Sequence, residues 1–207
     1  MDCQELYSFL RTKFNRVIEE SGIADETVKV SCSGNEMNAV FRGAVGQAES
    51  SVPSSFEGTV REASEMNLED ERQRCIFTAV LNSVMGALGY AARTAHCMGK
   101  EPEYCAENIR RYVCENYGNP KIALIGMQED ILECLKKNFE VKAPARTSLA
   151  EAETKEAVDW ADIVLCKGSV LCDGTLCDYL NLDKEVIFYG TALAGCAEWL
   201  GVKRMCF

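Results

Sequence analysis

KIALIGMQEDILECLKKNFEVKAP, Lys121–Pro144, is the stretch that decides the fold. It opens on an unbroken apolar run, Ile122–Ile125, that stops at Gly126. An amphipathic segment follows over 128–138, and a second extended run, FEVKAP, over 139–144. A strand with no polar alternation is one covered on both faces, as in a parallel sheet. The alternation then continues to the end of the chain. A polar, Ala- and Glu-rich helical segment is predicted around 148–158, a strand over 162–168 (DIVLCKG) and a short helix over 175–180 (TLCDYL). A strand over 185–190 (EVIFYG), a helix over 193–201 (LAGCAEWLG) and a strand over 202–207 (VKRMCF) complete the pattern. Strands alternating with helices predict a doubly wound α/β sheet with helices on both faces.

Upstream the pattern differs. Leu6, Phe9, Leu10, Phe14, Val17 and Ile18 recur at three and four, which predicts a helix over 3–20 stopped by Gly22. TVKVSCS (27–33) and NAVFRGAV (38–45) read as two strands around Gly34-Asn35, and 46–58 as a third short strand or a loop. A long helix is expected over 67–90, with Asn67 as N-cap and Glu69, Asp70 and Glu71 favouring the positive end of its dipole. A further helix runs from Pro102 to Asn116 and ends at Gly118 and Pro120. The first half is therefore a smaller α+β unit.

The 207 residues are 47% hydrophobic and 26% charged, enough apolar material for a core without staples. Lys and Arg number 22 against 32 Asp and Glu, a net charge of -10 that disfavours nucleic acid as a partner. MDCQELYSFLRTKF shows no apolar h-region, and no apolar run approaches the roughly 20 residues of a membrane span. The expectation is a cytoplasmic protein with no membrane partner.

Twelve cysteines are spread along the chain with no C-x-x-C. In a cytosolic protein reduced thiols are the default, and free Cys packs as a small hydrophobe. Cys166, Cys172 and Cys177 are the closest group, and a soft metal held by the three is one reading. Cys177, in the first turn of a predicted helix, is the most plausible reactive sulfur. His96 is the single histidine, beside Cys97, and reads as an ordinary hydrogen-bonded side chain.

Ligands of open α/β sheets bind beyond the carboxyl ends of the strands, at the switch in strand order. Three strands here end on glycine, at Gly126, Gly168 and Gly190, and the rim near Gly126 is the expected pocket. Thr175 is a candidate cap with Asp178 completing a capping box, and Thr191 a candidate cap of the last helix. Such termini attract a carboxylate or a phosphate. After IALIG comes MQED rather than G-x-G-x-x-G, and Glu129 and Asp130 repel a pyrophosphate, so a dinucleotide is not expected.

ADIVLCKGSVLCDGTLCDYL followed by EVIFYGTALAG resembles the C-terminal part of the heavy-metal-chelation domain family (domain of unknown function 364). ERQRCIFTAVLNSVMGALG, containing Asn82, resembles its upstream helix, and KIALIG its first Rossmann-like strand. The resemblance implies an enolase-N-like α+β domain over 1–66, a helical connecting segment over 67–118, and a Rossmann-like α/β domain over 119–207. It carries Gly126, Gly168, Ser169, Gly174, Thr175, Gly190 and Thr191 over as ligand-binding positions. The family's Pro is absent at Tyr189-Gly190-Thr191, and Cys172 and Cys177 stand where the family is apolar or acidic.

The expected function is binding of a small anionic ligand or metal chelate at the sheet rim, through amides of 168–169 and 174–175 and the hydroxyls of Ser169, Thr175 and Thr191. The alternatives are an enzyme of metal-cofactor metabolism (a transferase or lyase with Asp173 and Glu129 as acid–base groups) and a thiolate metal or redox protein. A metal ion or chelate is the candidate cofactor, and a homo-oligomer remains open.

Overall fold

The computed structural model describes residues 2–96 and 102–206. Helix α1 (Cys3–Ser21) begins with a reciprocal cap: the Glu5 amide donates to the Asp2 carboxylate, and the Asp2 amide to Glu5. It ends on Gly22 in the left-handed region, φ 66°. Leu6, Leu10, Phe14 and Ile18 form its buried stripe.

Strands β1 (Thr27–Ser33), β2 (Glu36–Phe41), β3 (Ala44–Glu49) and β4 (Phe56–Thr59) form an antiparallel sheet in the order β3-β2-β1-β4. The expected single strand over 38–45 is instead a hairpin. Arg42 (φ 48°) and Gly43 (φ 82°) both turn left-handed between Phe41 and its partner Ala44, as a two-residue hairpin loop requires. The region left open as strand or loop holds the end of β3 and the start of β4. The edge of β3 is covered: Gln47 N donates to Thr94 O at 2.8 Å and Thr94 Oγ1 to Val45 O at 2.7 Å.

After α2 (Val60–Ser64), helix α3 (Glu71–Ala87) takes Asp70 rather than Asn67 as its N-cap. Asp70 accepts from Gln73 N at 2.9 Å, whereas Asn67 accepts from Glu69 N within the preceding loop. Every residue of α3 from Arg74 to Met85 is buried. A helix buried all round lies between layers rather than on one. One side packs on β2 and β3, so closely that a Cβ on Gly46 would stand 2.1 Å from Ser83 N. The other side meets α7.

The second half comprises α4 (Pro102–Tyr117), β5 (Ile122–Ile125), α5 (Glu129–Lys136), β6 (Val141–Lys142), α6 (Ala152–Trp160) and β7 (Ile163–Lys167). Then come α7 (Val170–Asp173), α8 (Leu176–Leu180), β8 (Glu185–Tyr189), α9 (Ala197–Leu200) and β9 (Arg204–Met205). The expected long final helix is cut to α9, because 191–196 run as successive turns. The loop expected at Cys172 is the short helix α7. Strand order is β6-β5-β7-β8-β9, all parallel, with its switch between β5 and β7.

Alternation sorts the strand residues between two cores. Ile122, Leu124, Ile163, Leu165 and Ile187 pack with Ile109 and Val113 of α4 and Ile131 and Leu135 of α5. Ala123, Ile125, Val164, Cys166 and Phe188 face the other way, into a cluster that also takes in α1, α3 and the inner face of the antiparallel sheet. Among the described residues, no helix is long and apolar enough to cross a membrane.

Candidate functional site

β7 and β8 end side by side, with Lys167 paired to Tyr189. Beyond them the chain turns at Gly168-Ser169 and at Gly190 (φ 87°)-Thr191. Between these turns lies a hollow lined by Lys167, Gly168, Ser169, Gly190, Thr191 and Ala192, and closed from the antiparallel side by Glu49 and His96. Its unfilled space out to the surface is about 220 Å³, and its closed part, about 10 Å³, has room for a single water molecule. Four of the predicted residues, Gly168, Ser169, Gly190 and Thr191, therefore meet at one place.

The hollow lies one strand beyond the switch in strand order. Gly126 (φ 72°) borders it without lining it, because Lys167 fills its approach: a Cβ on Gly126 would stand 2.7 Å from Lys167 Cβ. Tyr189 closes the same corner by donating its hydroxyl to Gly126 O at 2.7 Å. Burial raises the Tyr189 phenol well above its ordinary range, so it stays a donor.

Gly174 and Thr175 do not line the hollow. Gly174 stands against the Arg74 guanidinium, and Thr175 Oγ1 donates to Thr147 Oγ1 at 3.2 Å. The expected capping box is absent: Thr175 makes no side-chain cap bond, and Asp178 accepts from Leu149 N at 3.0 Å. Thr191 caps no helix either, since α9 starts at Ala197 after Cys196.

Several amides at the predicted ligand positions are in use. Gly168 N donates to Tyr189 O at 2.9 Å, Gly190 N to Met205 O at 3.2 Å, and Thr175 N to Val170 O at 2.9 Å. The donors left over sit next to them. Among the described residues, the amides of Ser169, Thr191 and Ala192 donate to no protein acceptor, nor do the hydroxyls of Ser169 and Thr191. Neither hydroxyl is buried and unsatisfied, so each faces the hollow or solvent.

The charged groups at the hollow escaped the sequence reading. Lys167 Nζ stands 2.5 Å from Glu49 Oε2, and Glu49 Oε1 stands 3.9 Å from His96 Nε2. The pair joins the end of β7 to the end of β3, and thus one sheet to the other. His96, read as an ordinary side chain, is at the hollow, with its amide bonded to Gln47 Oε1. Its neighbour Cys97 lies outside the described residues.

Asn82 holds the 191–195 turn in place. It is fully buried, donates from Nδ2 to Gln47 O (2.8 Å), Ala192 O (3.0 Å) and Thr191 O (3.2 Å), and accepts from Gly195 N at 2.7 Å. Arg74 does similar work below, donating to Cys172 O at 2.8 Å and Leu68 O at 2.7 Å.

The three candidate metal-binding sulfurs do not share a site. Cys166 is buried in β7, where burial raises its thiol. Cys172 bonds to Cys75 of α3, and that bond and burial raise its thiol while the same bond lowers that of Cys75. Cys177 is joined to Cys3, which ties α8 to the start of α1 and corrects the expectation of an accessible thiolate there. Among the described residues, no group of three or more His, Cys, Asp or Glu is placed to hold a metal ion.

The acid–base candidates also lie off the hollow. Burial raises the Asp173 carboxyl, which accepts from Thr147 Oγ1 at 3.3 Å, and Glu129 sits in the first turn of α5. A larger space, about 720 Å³ out to the surface against 220 Å³ for the hollow, opens between α4 and α5, but its Glu107 is committed to Arg110 and Cys134.

No family model and no curated protein matches the chain. Solved structures that share its fold include two crystal structures of proteins of unknown function. A protein of unknown function of the DUF364 family from Desulfitobacterium hafniense DCB-2 superposes with a TM-score of 0.62 at 13% identity, covering 96% of this chain and 83% of that one. Another of that family, also of unknown function, from Pyrococcus horikoshii gives 0.53 at 16% identity, covering 89% of this chain and 77% of its own.

Proposed function

We propose that this chain is a small-ligand-binding protein of the DUF364 type, and that it holds an anionic ligand or a metal chelate in the hollow beyond β7 and β8. One observation carries the reading: the Lys167 ammonium, paired to Glu49, lines the same hollow as three amides and two hydroxyls that donate to no protein acceptor. Unused donors next to a fixed cation suit negative oxygen atoms. The shared fold supports the family assignment, with 119–207 as a Rossmann-like unit and 1–66 as an enolase-N-like unit joined through 67–118.

The hollow also bounds the ligand. Its enclosed volume of about 10 Å³ is far below ordinary cofactor pockets of roughly 300–1,000 Å³, so the ligand is a small group seated at the open side of the hollow. Thermal shift with phosphate, acetate, citrate and metal–citrate chelates tests the proposal. Ligand at about a hundredfold over its Kd stabilises by roughly 2.7 kcal/mol, a rise of several degrees for a chain of this size. Lys167→Ala and the pair Ser169→Ala/Thr191→Val should abolish that rise. No rise with any of these ligands, or an undiminished rise in Lys167→Ala, would refute it.

A further inference from the structure

We infer that the ligand of this hollow is a zwitterion with its two charges a few bonds apart, as in a small α-amino acid, and that Glu49 reads its cationic end. The inference rests on the proposed binding role of the hollow and names the ligand class.

The argument starts from the ion pair. The Lys167 side chain is 16% exposed and that of Glu49 34%, and their charged atoms are 2.5 Å apart at the mouth. Any ligand that engages Lys167 must share it with Glu49 or separate the two. A simple anion seated on Lys167 would bring a second negative charge against the Glu49 carboxylate. A simple cation seated on Glu49 would leave a half-buried ammonium without its partner. Removing one member of a desolvated pair is the costly change, whereas exchanging partners is not.

A zwitterion exchanges partners. Its carboxylate takes Lys167 together with the unused amides and hydroxyls of Ser169 and Thr191, all on the β7–β8 side. Its ammonium takes Glu49, on the opposite side, with His96 Nε2 beside it as a second acceptor when neutral. One internal ion pair becomes two ligand pairs, and no charge is left alone. The arrangement discriminates against each half of the ligand offered by itself.

With the ion pair closed, the enclosed part of the hollow has room for about one water molecule, so the ligand must be small and must enter by parting Lys167 from Glu49. The two charges come from different sheets, Glu49 from the end of β3 and Lys167 from the end of β7.

Isothermal titration with glycine, L-alanine, acetate, methylammonium and inorganic phosphate tests this on wild type and on Glu49→Gln, with circular dichroism confirming that the variant is folded. Wild type is expected to bind glycine or alanine at least about tenfold more tightly than acetate or methylammonium. Glu49→Gln should weaken the amino acids to the level of acetate, while acetate and phosphate hold or gain because Lys167 is released. Acetate or phosphate binding wild type as tightly as glycine would overturn the zwitterion and leave the anion site standing. Amino-acid affinity unchanged in Glu49→Gln would remove Glu49 from the reading. No binding by any of the five would sink both.

Discussion

Replacing Asn82 should unfasten the hollow from within. Its side-chain amide has two hydrogens shared among three carbonyls, of Gln47, Thr191 and Ala192, and its oxygen accepts the Gly195 amide at 2.7 Å. Asn82→Ala strands that buried N–H, at roughly 1–3 kcal/mol, and removes two donors from carbonyls at about 1 kcal/mol each. The sum is about 3–5 kcal/mol, a large share of an ordinary stability of 5–15 kcal/mol. Asn82→Asp keeps the acceptor for Gly195 but turns an oxygen towards three carbonyls, so it should cost at least as much in its ionised form. Urea unfolding followed by the fluorescence of Trp160 and Trp199, the latter close behind the turn in α9, would measure both. The midpoint should fall with the slope unchanged. Amide exchange at Gly195 should accelerate in the same variants. An Asn82→Ala protein within about 1 kcal/mol of wild type, with Gly195 still protected, would refute the role given to this residue.

Three further outcomes are expected. Gly46→Ala should cost about 3 kcal/mol or more, because its Cβ meets backbone at 2.1 Å and 2.3 Å; Gly58→Ala, which meets the side chains of Glu62 and Phe56, should cost much less in the same urea assay. Burial pushes the Cys196 thiol up to about 12 from 9.0, so the unfolded chain ionises first and this contribution to stability is intact below pH 9 and lost as pH rises towards 12. Its slope is about 1.4 kcal/mol per pH unit within that window, and Cys196→Ala should flatten the pH dependence of the urea midpoint by that amount. Alkylation under non-reducing conditions followed by peptide mass mapping should find Cys3 and Cys177 linked and the exposed Cys32 and Cys114 modified; free, labelled Cys177 in the folded protein would contradict the pairing.

Long-period patterns made most of the fold legible. The unbroken runs at Ile122–Ile125 and over 163–166 announce strands covered on both faces, and both are buried in a parallel sheet. Leu6, Leu10, Phe14 and Ile18 likewise fix α1. What went astray was local. The Arg42-Gly43 hairpin hid inside an apolar run because an Arg in the left-handed region is rare, so Gly43 alone carried the signal. Asn67 and Asp70 are both good caps, and only the packing of α3 chooses between them. At the site, glycine ends located the rim but not its donors. Gly168 and Gly190 spend their amides on the sheet, and the unused ones belong to the residues beside them. Glu49 and Lys167 are 118 positions apart by number, and only the meeting of the two sheets makes them neighbours.

α3 has no outside. From Arg74 to Met85 each residue is buried, with β2 and β3 on one side and α7 and the 191–195 turn on the other, and a single cluster of buried side chains runs from Leu6 through it to Cys196. The helix is thus a shared keel rather than a hinge. A change in α3 is therefore tested on both of its sides at once. The rim shares in this constraint, because Asn82 fastens the 191–195 turn that ends β8 to the helix.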